Sequence, residues 1–149
     1  MKAHTIVVGY DGSPDAEVAL DEAITHAGED SIVHVVTVHK PRPAANGTEE
    51  LPEEFEYTIE PDEADRMRLR DAERRLEAAG VHHEAHLPWG RPAKEILDVA
   101  ETVDADLIVL GSRGLGSVRR LLLGSVSTKV AEHARTSTLI VHHDTTTAA

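Results

Sequence analysis

DLIVLGSRGLGSVRRLLLGSVSTKVAEHAR, residues 106–135, orders a strand, a glycine-rich loop and a helix. The apolar run at 107–110 leaves no polar position to face solvent, which is typical of a strand buried on both faces. Apolar residues recur at helical spacing between Ser125 and Arg135, and Gly124 with Ser125 stands where a capping residue belongs. The stretch therefore predicts a buried strand, a loop and a helix in that order.

The predicted loop and helix start form a candidate phosphate site. Backbone N–H groups at a helix start lack partners within the helix, and glycine lets a ligand approach the main chain without a Cβ in the way. The helix start also carries roughly half a positive charge, so an anion there gains about 0.3–2 kcal/mol. Phosphate is the ligand that this arrangement favours.

Charge singles out the same loop. Residues 111–130 hold no acidic residue and four basic ones, namely Arg113, Arg119, Arg120 and Lys129. The loop is thus locally +4 within a chain of net charge −12, so the remaining residues sum to −16. An acidic surface repels nucleotides unless a concentrated basic site reverses the field. The same acidity argues against a general nucleic-acid binder, which draws most of its affinity from neutralising phosphates.

Two common phosphate motifs do not fit. A P-loop needs a lysine after its second glycine, but Gly116 is followed by Ser117. A dinucleotide fingerprint beginning at Gly114 would need glycine at 119, where the chain has arginine. The residues instead spell G-x2-G-x9-G-S, formed by Gly111, Gly114, Gly124 and Ser125 and followed by Val126.

Length and composition bound the class of protein. A chain of 149 residues suits one domain, which we place at 1–143, with 144–149 as a disordered tail. It has no run of about eighteen apolar residues and its start lacks a signal-peptide pattern, so we expect a cytoplasmic protein without membrane contact. The chain has no cysteine, which rules out disulfides and thiolate metal sites but does not fix the compartment.

The acidic excess also suggests a salt-rich cytoplasm. The chain has 27 acidic residues against 15 basic ones, and molar salt would screen the resulting self-repulsion. We therefore hypothesise a halophilic source and expect the melting temperature to rise between dilute buffer and molar salt. A melting temperature that stays constant or falls over this range would contradict the hypothesis.

The hydrophobic pattern predicts an α/β protein. Strands are expected at 4–10, 31–38, 81–87, 106–110 and 137–142, and helices at 14–27, 62–79, 92–103 and 125–135, with a long flexible loop at 40–61. This alternation implies right-handed crossovers and an open five-stranded parallel sheet with helices on both faces. Ligands bind such sheets beyond the carboxyl ends of the strands. Asp11, Val38 and the Gly111 loop all lie at predicted strand ends.

The histidines at 82, 83 and 86 raise the possibility of a metal site. Alternation along a strand sends His82 and His86 to one face and His83 to the other, so we interpret them as solvated strand histidines and predict no protein metal site. The chain also lacks the nucleophile elbow G-x-S-x-G, and no residue is assigned a catalytic role.

Three segments together resemble the universal stress protein family: VVGYDGS at 7–13, GRPAKEI at 90–96, and DLIVLG at 106–111 with the glycine motif after it. The resemblance covers nearly the whole chain. It implies a Rossmann-like, nucleotide-binding α-hydrolase-like fold with sheet order 3-2-1-4-5. Because the glycine motif is complete, it also implies the ATP-binding branch of the family.

The resemblance further implies which residues meet the nucleotide. Asp11 would contact the adenosine part, and the main chain near Val38 would recognise adenine. The ribose and phosphates would lie against Gly111, Gly114, Gly124, Ser125 and Val126, while Arg113 occupies a variable position within the motif. The ligand would be ATP, or AMP or ADP, with Mg2+ or Mn2+ carried by the nucleotide. Family members commonly dimerise through the last strand, here Ser137 to His142.

Three functions remain open from the sequence. The first is a dimeric stress-response protein regulated by ATP binding. The second is a slow ATPase or phosphotransfer enzyme that uses the same pocket. The third is a nucleotide-free dimeric interaction module. Binding is favoured over turnover because no catalytic base is identifiable beside the phosphate loop, and phosphoryl transfer needs an oriented nucleophile.

Overall fold

Five strands alternate with four helices in the computed structural model, which describes residues 3–40, 61–114 and 123–143. The elements are β1 Ala3–Gly9, α1 Pro14–His26, β2 Ala27–Val36, α2 Glu63–Ala78, β3 His82–His86, α3 Pro92–Thr102, β4 Leu107–Gly111, α4 Ser125–His133 and β5 Ser137–Val141. The predicted flexible loop, except for its end residues Lys40 and Pro61, lies outside the described residues. So do the predicted tail at 144–149 and the two arginines at 119 and 120.

The strands form one parallel sheet in the order β3-β2-β1-β4-β5. This confirms the predicted fold class. Strand β1 is central, with β2 on one side and β4 on the other, so the winding direction reverses between β1 and β4. Strands β3 and β5 lie at the two edges of the sheet.

Each face of the sheet carries its own apolar core. Alternate residues of β1 point to opposite faces: Ile6 and Val8 pack with α1 and α2, while Val7 packs with α3 and α4. Both cores are closed, since Leu20 and Leu76 on one side and Val130 on the other have no exposed surface. Burial on both faces explains why residues 6–8 of β1 and 108–110 of β4 are apolar without alternation, whereas the edge strand β3 is polar and partly exposed.

Local capping signals place the helix starts correctly. Ser13 is the N-cap of α1 and accepts a hydrogen bond from the Ala16 amide at 3.2 Å. Asp62 caps α2 in the same way through the Asp65 amide. The serine and aspartate oxygens satisfy amides that the first turn leaves without partners.

The boundary between α1 and β2 differs from the sequence prediction. Helix α1 ends at His26, and β2 runs from Ala27 to Val36 rather than from Ser31 to Val38. The early start arises because Ala27 pairs with Ala3 of β1 across a register shift. Such a pairing depends on tertiary context that local propensity does not encode.

None of the helices in the described ranges combines the length and apolar character needed to cross a membrane.

Candidate functional site

The carboxyl ends of β1, β2 and β4 meet the start of α4 around a cavity of about 190 Å³. All eight residues predicted for the nucleotide site line it, namely Asp11, Val38, Gly111, Arg113, Gly114, Gly124, Ser125 and Val126. They come from four separate segments, which the reversal of winding at β1 brings to one edge of the sheet.

Asp11 forms a turn at the entrance of this cavity. Its Oδ1 accepts a hydrogen bond from the Ser13 amide at 2.9 Å, which fixes the chain between β1 and α1. Its Oδ2 lies over Gly114, since a Cβ on that glycine would come within 2.6 Å of the oxygen. Asp11 thus both shapes the turn and presents a carboxylate beside the glycine loop.

The glycine at 111 is required by packing. A Cβ there would lie 2.6 Å from the Asp15 Cβ and 2.7 Å from the Asp15 carbonyl carbon, so β4 ends directly against the first turn of α1. Gly124 is less confined, because its Cβ would meet the Ser112 carbonyl oxygen at 3.2 Å. The Gly124 amide donates to that same oxygen at 2.6 Å, which closes the loop onto the start of α4.

Asp15 organises the loop, a role that the sequence alone does not indicate. Its Oδ2 accepts hydrogen bonds from the Ser112 hydroxyl at 2.7 Å and the Arg113 amide at 3.0 Å. Its Oδ1 accepts from the His143 amide at 2.9 Å. The residue is 5% exposed. The only sequence signal was an acidic residue in the first turn of a helix, which the helix dipole explains equally well.

The surroundings of Asp15 favour its charged form. Burial raises the pKa of this carboxyl, but the hydrogen bonds from Ser112, His143 and Arg113, together with the Arg113 charge, outweigh burial and lower the pKa below its usual value. The guanidinium Nε of Arg113 lies 3.9 Å from Oδ2. Arg113 is therefore positioned by Asp15 at the cavity wall.

Within the described part of the chain, the start of α4 has no side-chain cap. Its N-cap is Gly124, which makes no side-chain cap hydrogen bond. The Ser127 hydroxyl in the first turn donates toward the carbonyl oxygens of Ser112 at 3.0 Å and Gly124 at 3.1 Å. Ser125 and Val126 form the first turn and line the cavity, so the positive end of the helix faces it.

A second, more basic cavity of about 460 Å³ continues from the first between α3 and α4. The two share Lys40, Pro92, Ser125 and Val126 in their walls. The second adds four basic side chains and one acidic one: Arg91, Lys94, Lys129, His133 and Asp98. Together the cavities form a groove whose far end is suited to anions.

The cavity wall offers little for proton transfer. Among the described residues that line the first cavity, the charged side chains are Asp11, Lys40 and Arg113. Tyr10 also lines it, but its hydroxyl donates to the Glu17 carboxylate. Burial, and then the hydrogen bond to Glu17 and its charge, raise the pKa of Tyr10. Its phenol therefore stays protonated at neutral pH.

A parallel sheet of order 3-2-1-4-5, with a glycine loop and an uncapped helix start beyond its strands, defines a Rossmann-like α/β protein with a candidate anion site. A family model described as the universal stress protein family matches residues 2–142, and the chain belongs to this family.

Individual relatives agree in length and fold. A universal stress protein from Thermus aquaticus, named for the QAH/OAS sulfhydrylase 3' region, is 41% identical over 148 residues, which cover 92% of this chain and 97% of the relative. The solved structure of a universal stress protein in complex with cAMP is 31% identical, with a TM-score of 0.71, and covers 97% of this chain and 100% of that one. A family member from Arabidopsis thaliana with AMP bound shares the fold at 19% identity and a TM-score of 0.69, covering 95% and 93%.

Proposed function

We propose that this protein binds ATP, or ADP or AMP, and acts in the cytoplasm as a dimeric regulatory protein of the stress response. One observation carries the proposal: the four segments that supply the predicted site residues line a single cavity at the uncapped start of α4. A relative solved in complex with cAMP supports an adenine nucleotide as the ligand class.

The nucleotide would lie along the groove with its base at the strand ends. Adenine would meet the main chain near Val38, and Asp11 would contact the adenosine part. The phosphates would run over the glycine loop to Ser125 and Val126, where the helix start favours negative charge. Mg2+ or Mn2+ would enter with the phosphates, which neutralises part of their charge and reduces the need for protein cations.

We favour binding over hydrolysis. Hydrolysis needs a group that orients the attacking water, and Asp11 is the carboxylate lining the first cavity in the described chain. Asp11 already accepts a hydrogen bond from the Ser13 amide, which holds it in the turn. A nucleotide that stays bound without being hydrolysed would suit a regulatory protein that changes its partners when the site is occupied.

The dimer would form through β5. This strand lies at the sheet edge, and its central residues Leu139 and Ile140 are half-buried, so a second copy could continue the sheet and cover them. Light scattering on the purified protein should give twice the chain mass. A monomer at all concentrations would remove dimerisation from the proposal and leave the nucleotide site untouched.

Substitution of Ser125 tests the site. Ser125→Glu should weaken ATP binding by about tenfold or more, because the added negative charge would repel the phosphates. A repulsion of about 1.4 kcal/mol is enough for a tenfold loss of affinity. A glutamate in the first turn is favourable to the helix, so the fold should be retained. Isothermal titration with ATP, with and without Mg2+, measures the change. Ser125→Gln is the matched control, since it has nearly the same shape without the charge.

The outcomes separate the three functions. Equal ATP affinity in wild type, Ser125→Glu and Ser125→Gln would exclude Ser125 from the site, and no binding of adenine nucleotides to the wild type would favour the interaction module. Phosphate release well above background that is lost in Ser125→Glu would favour the enzyme. Extraction of the purified protein identifies any nucleotide retained from the cell.

A further inference from the structure

Two histidines and a glutamate come together on the sheet away from the nucleotide cavity. The parallel register of β2 and β3 places His34 opposite Glu84, and His86 follows two residues later on the same face of β3. None of the three lines either of the cavities described above. His34 and Glu84 carry no metal-site signal in the sequence, because the register of β2 against β3 cannot be read from the two strands separately.

The three side chains point their ligand atoms at one another. His34 Nδ1 lies 2.9 Å from His86 Nε2 and 3.4 Å from a Glu84 carboxylate oxygen. One ligand atom from each residue lies within 4.8 Å of the others. Two ligands of a tetrahedral Zn2+ ion, each about 2.0–2.2 Å from the metal, are separated by about 3.3 Å. Small side-chain shifts would therefore admit an ion.

The chemistry of the group suits a transition metal. Two imidazoles and a carboxylate are ligands that Zn2+ prefers, and three protein ligands leave a further position for water. A neutral imidazole binds a metal through the lone pair of one ring nitrogen, and Nδ1 of His34 and Nε2 of His86 are the nitrogens that face each other within the group.

The three side chains differ in their exposure to solvent. The His34 side chain is 5% exposed and anchors the group on the sheet, whereas the Glu84 side chain is 63% exposed. His86 is half-buried on the edge strand. The Glu84 carboxylate is therefore the most solvent-exposed of the three groups and His34 the least.

We propose that His34, Glu84 and His86 bind one Zn2+ ion, which ties the edge strand β3 to β2. In the metal-free protein one of the two facing imidazole nitrogens donates a hydrogen bond to the other. When the ion binds both of these nitrogens, the ring that was the donor carries its proton on its other nitrogen instead. All three ligands belong to β2 and β3, so Zn2+ binding does not depend on whether the nucleotide cavity is occupied.

The test is titration of the full-length, tag-free and nucleotide-free protein with ZnCl2. The expected result is one Zn2+ per chain and a rise in melting temperature with Zn2+ concentration, because the ion binds the folded state. Co2+ in place of Zn2+ should give the visible absorption of a four-coordinate site. Excess Mg2+ should not compete, since it prefers oxygen ligands in octahedral geometry.

Substitutions assign the ligands. His86→Ala and Glu84→Gln should each weaken Zn2+ binding by more than about tenfold. Glu84→Gln changes an exposed side chain, so it remains informative if a histidine variant fails to fold. His83→Ala is the matched control: His83 lies on the opposite face, near Glu73 and Glu77, and its loss should leave Zn2+ affinity unchanged.

Three outcomes would overturn the proposal. They are a wild type that binds no Zn2+ in the micromolar range, an affinity that His86→Ala and Glu84→Gln leave unchanged, and an affinity lost only in His83→Ala. Ser125→Glu should bind Zn2+ like the wild type, so failure of the nucleotide site would not affect this result.

Discussion

Gly111→Ala is expected to lower the free energy of unfolding by about 3 kcal/mol, toward the upper end of the range for overpacked sites. The added methyl group would lie 2.6–2.7 Å from two Asp15 atoms, one of them in the backbone of α1. A backbone atom at that distance cannot rotate away, so β4 and α1 must separate. Urea denaturation followed by circular dichroism measures the loss through a lower midpoint.

Gly114→Ala is the matched control for this prediction. Its Cβ would come within 2.6 Å of the Asp11 Oδ2 atom and 3.7 Å of the Asp11 Cγ atom, so a side chain has to shift rather than the backbone. This shift costs the Asp11–Ser13 hydrogen bond, about 1 kcal/mol. We expect its stability to stay close to that of the wild type. Similar midpoints for both variants would show that the close approach of β4 to α1 does not constrain Gly111.

Asp15→Asn is expected to destabilise the fold by about 3 kcal/mol at pH 7, although the new side chain has nearly the same shape. Both carboxylate oxygens accept hydrogen bonds from donors, from Ser112 and Arg113 on one side and from His143 on the other. Whichever way the asparagine is turned, its NH2 group faces a donor and leaves buried groups unsatisfied. Denaturation midpoints of the variant and the wild type give the difference.

Lowering the pH should reduce the difference in stability between the wild type and Asp15→Asn. The folded-state pKa of Asp15 lies below its ordinary value of 3.8, so its charged form stabilises the fold above that value. The contribution is lost as the pH falls from about 3.8 through the lower, folded-state pKa. The gap between wild type and variant should therefore be full at pH 7 and narrow below pH 3.8.

Asp98→Asn provides the control for charge removal. Asp98 forms an i,i+4 ion pair with Lys94 on the surface of α3, and both side chains are exposed. Solvent screens such an exposed pair, so its loss should barely move the midpoint. A cost for Asp15→Asn no larger than that of Asp98→Asn would contradict the role assigned to Asp15.

The features that the sequence predicted are those encoded locally. The apolar run at 107–110 predicted a buried strand, and Ser13 followed by proline predicted the start of α1. Alternation of strands and helices led to a parallel sheet, and the rule that ligands bind at strand ends brought Asp11 and Val38 to the glycine loop. The resemblance to a family supplied the strand order.

The features that the sequence did not predict depend on contacts between distant segments. Asp15 meets Ser112 and His143, 97 and 128 residues away in the chain. His34 meets Glu84 only through the register of β2 against β3. The glycine at 111 was interpreted as an opening for a ligand, because the close approach of α1 could not be known before the helix was placed.

The carboxylate of Asp15 joins the glycine loop to the residue pair that follows β5. The backbone amides of Arg113 and His143 donate to the two oxygens of the same carboxylate. A movement of Arg113 that lengthens its hydrogen bond therefore also displaces the group that accepts from His143. One buried side chain therefore holds both the loop that lines the cavity and the chain segment that leaves the edge strand β5.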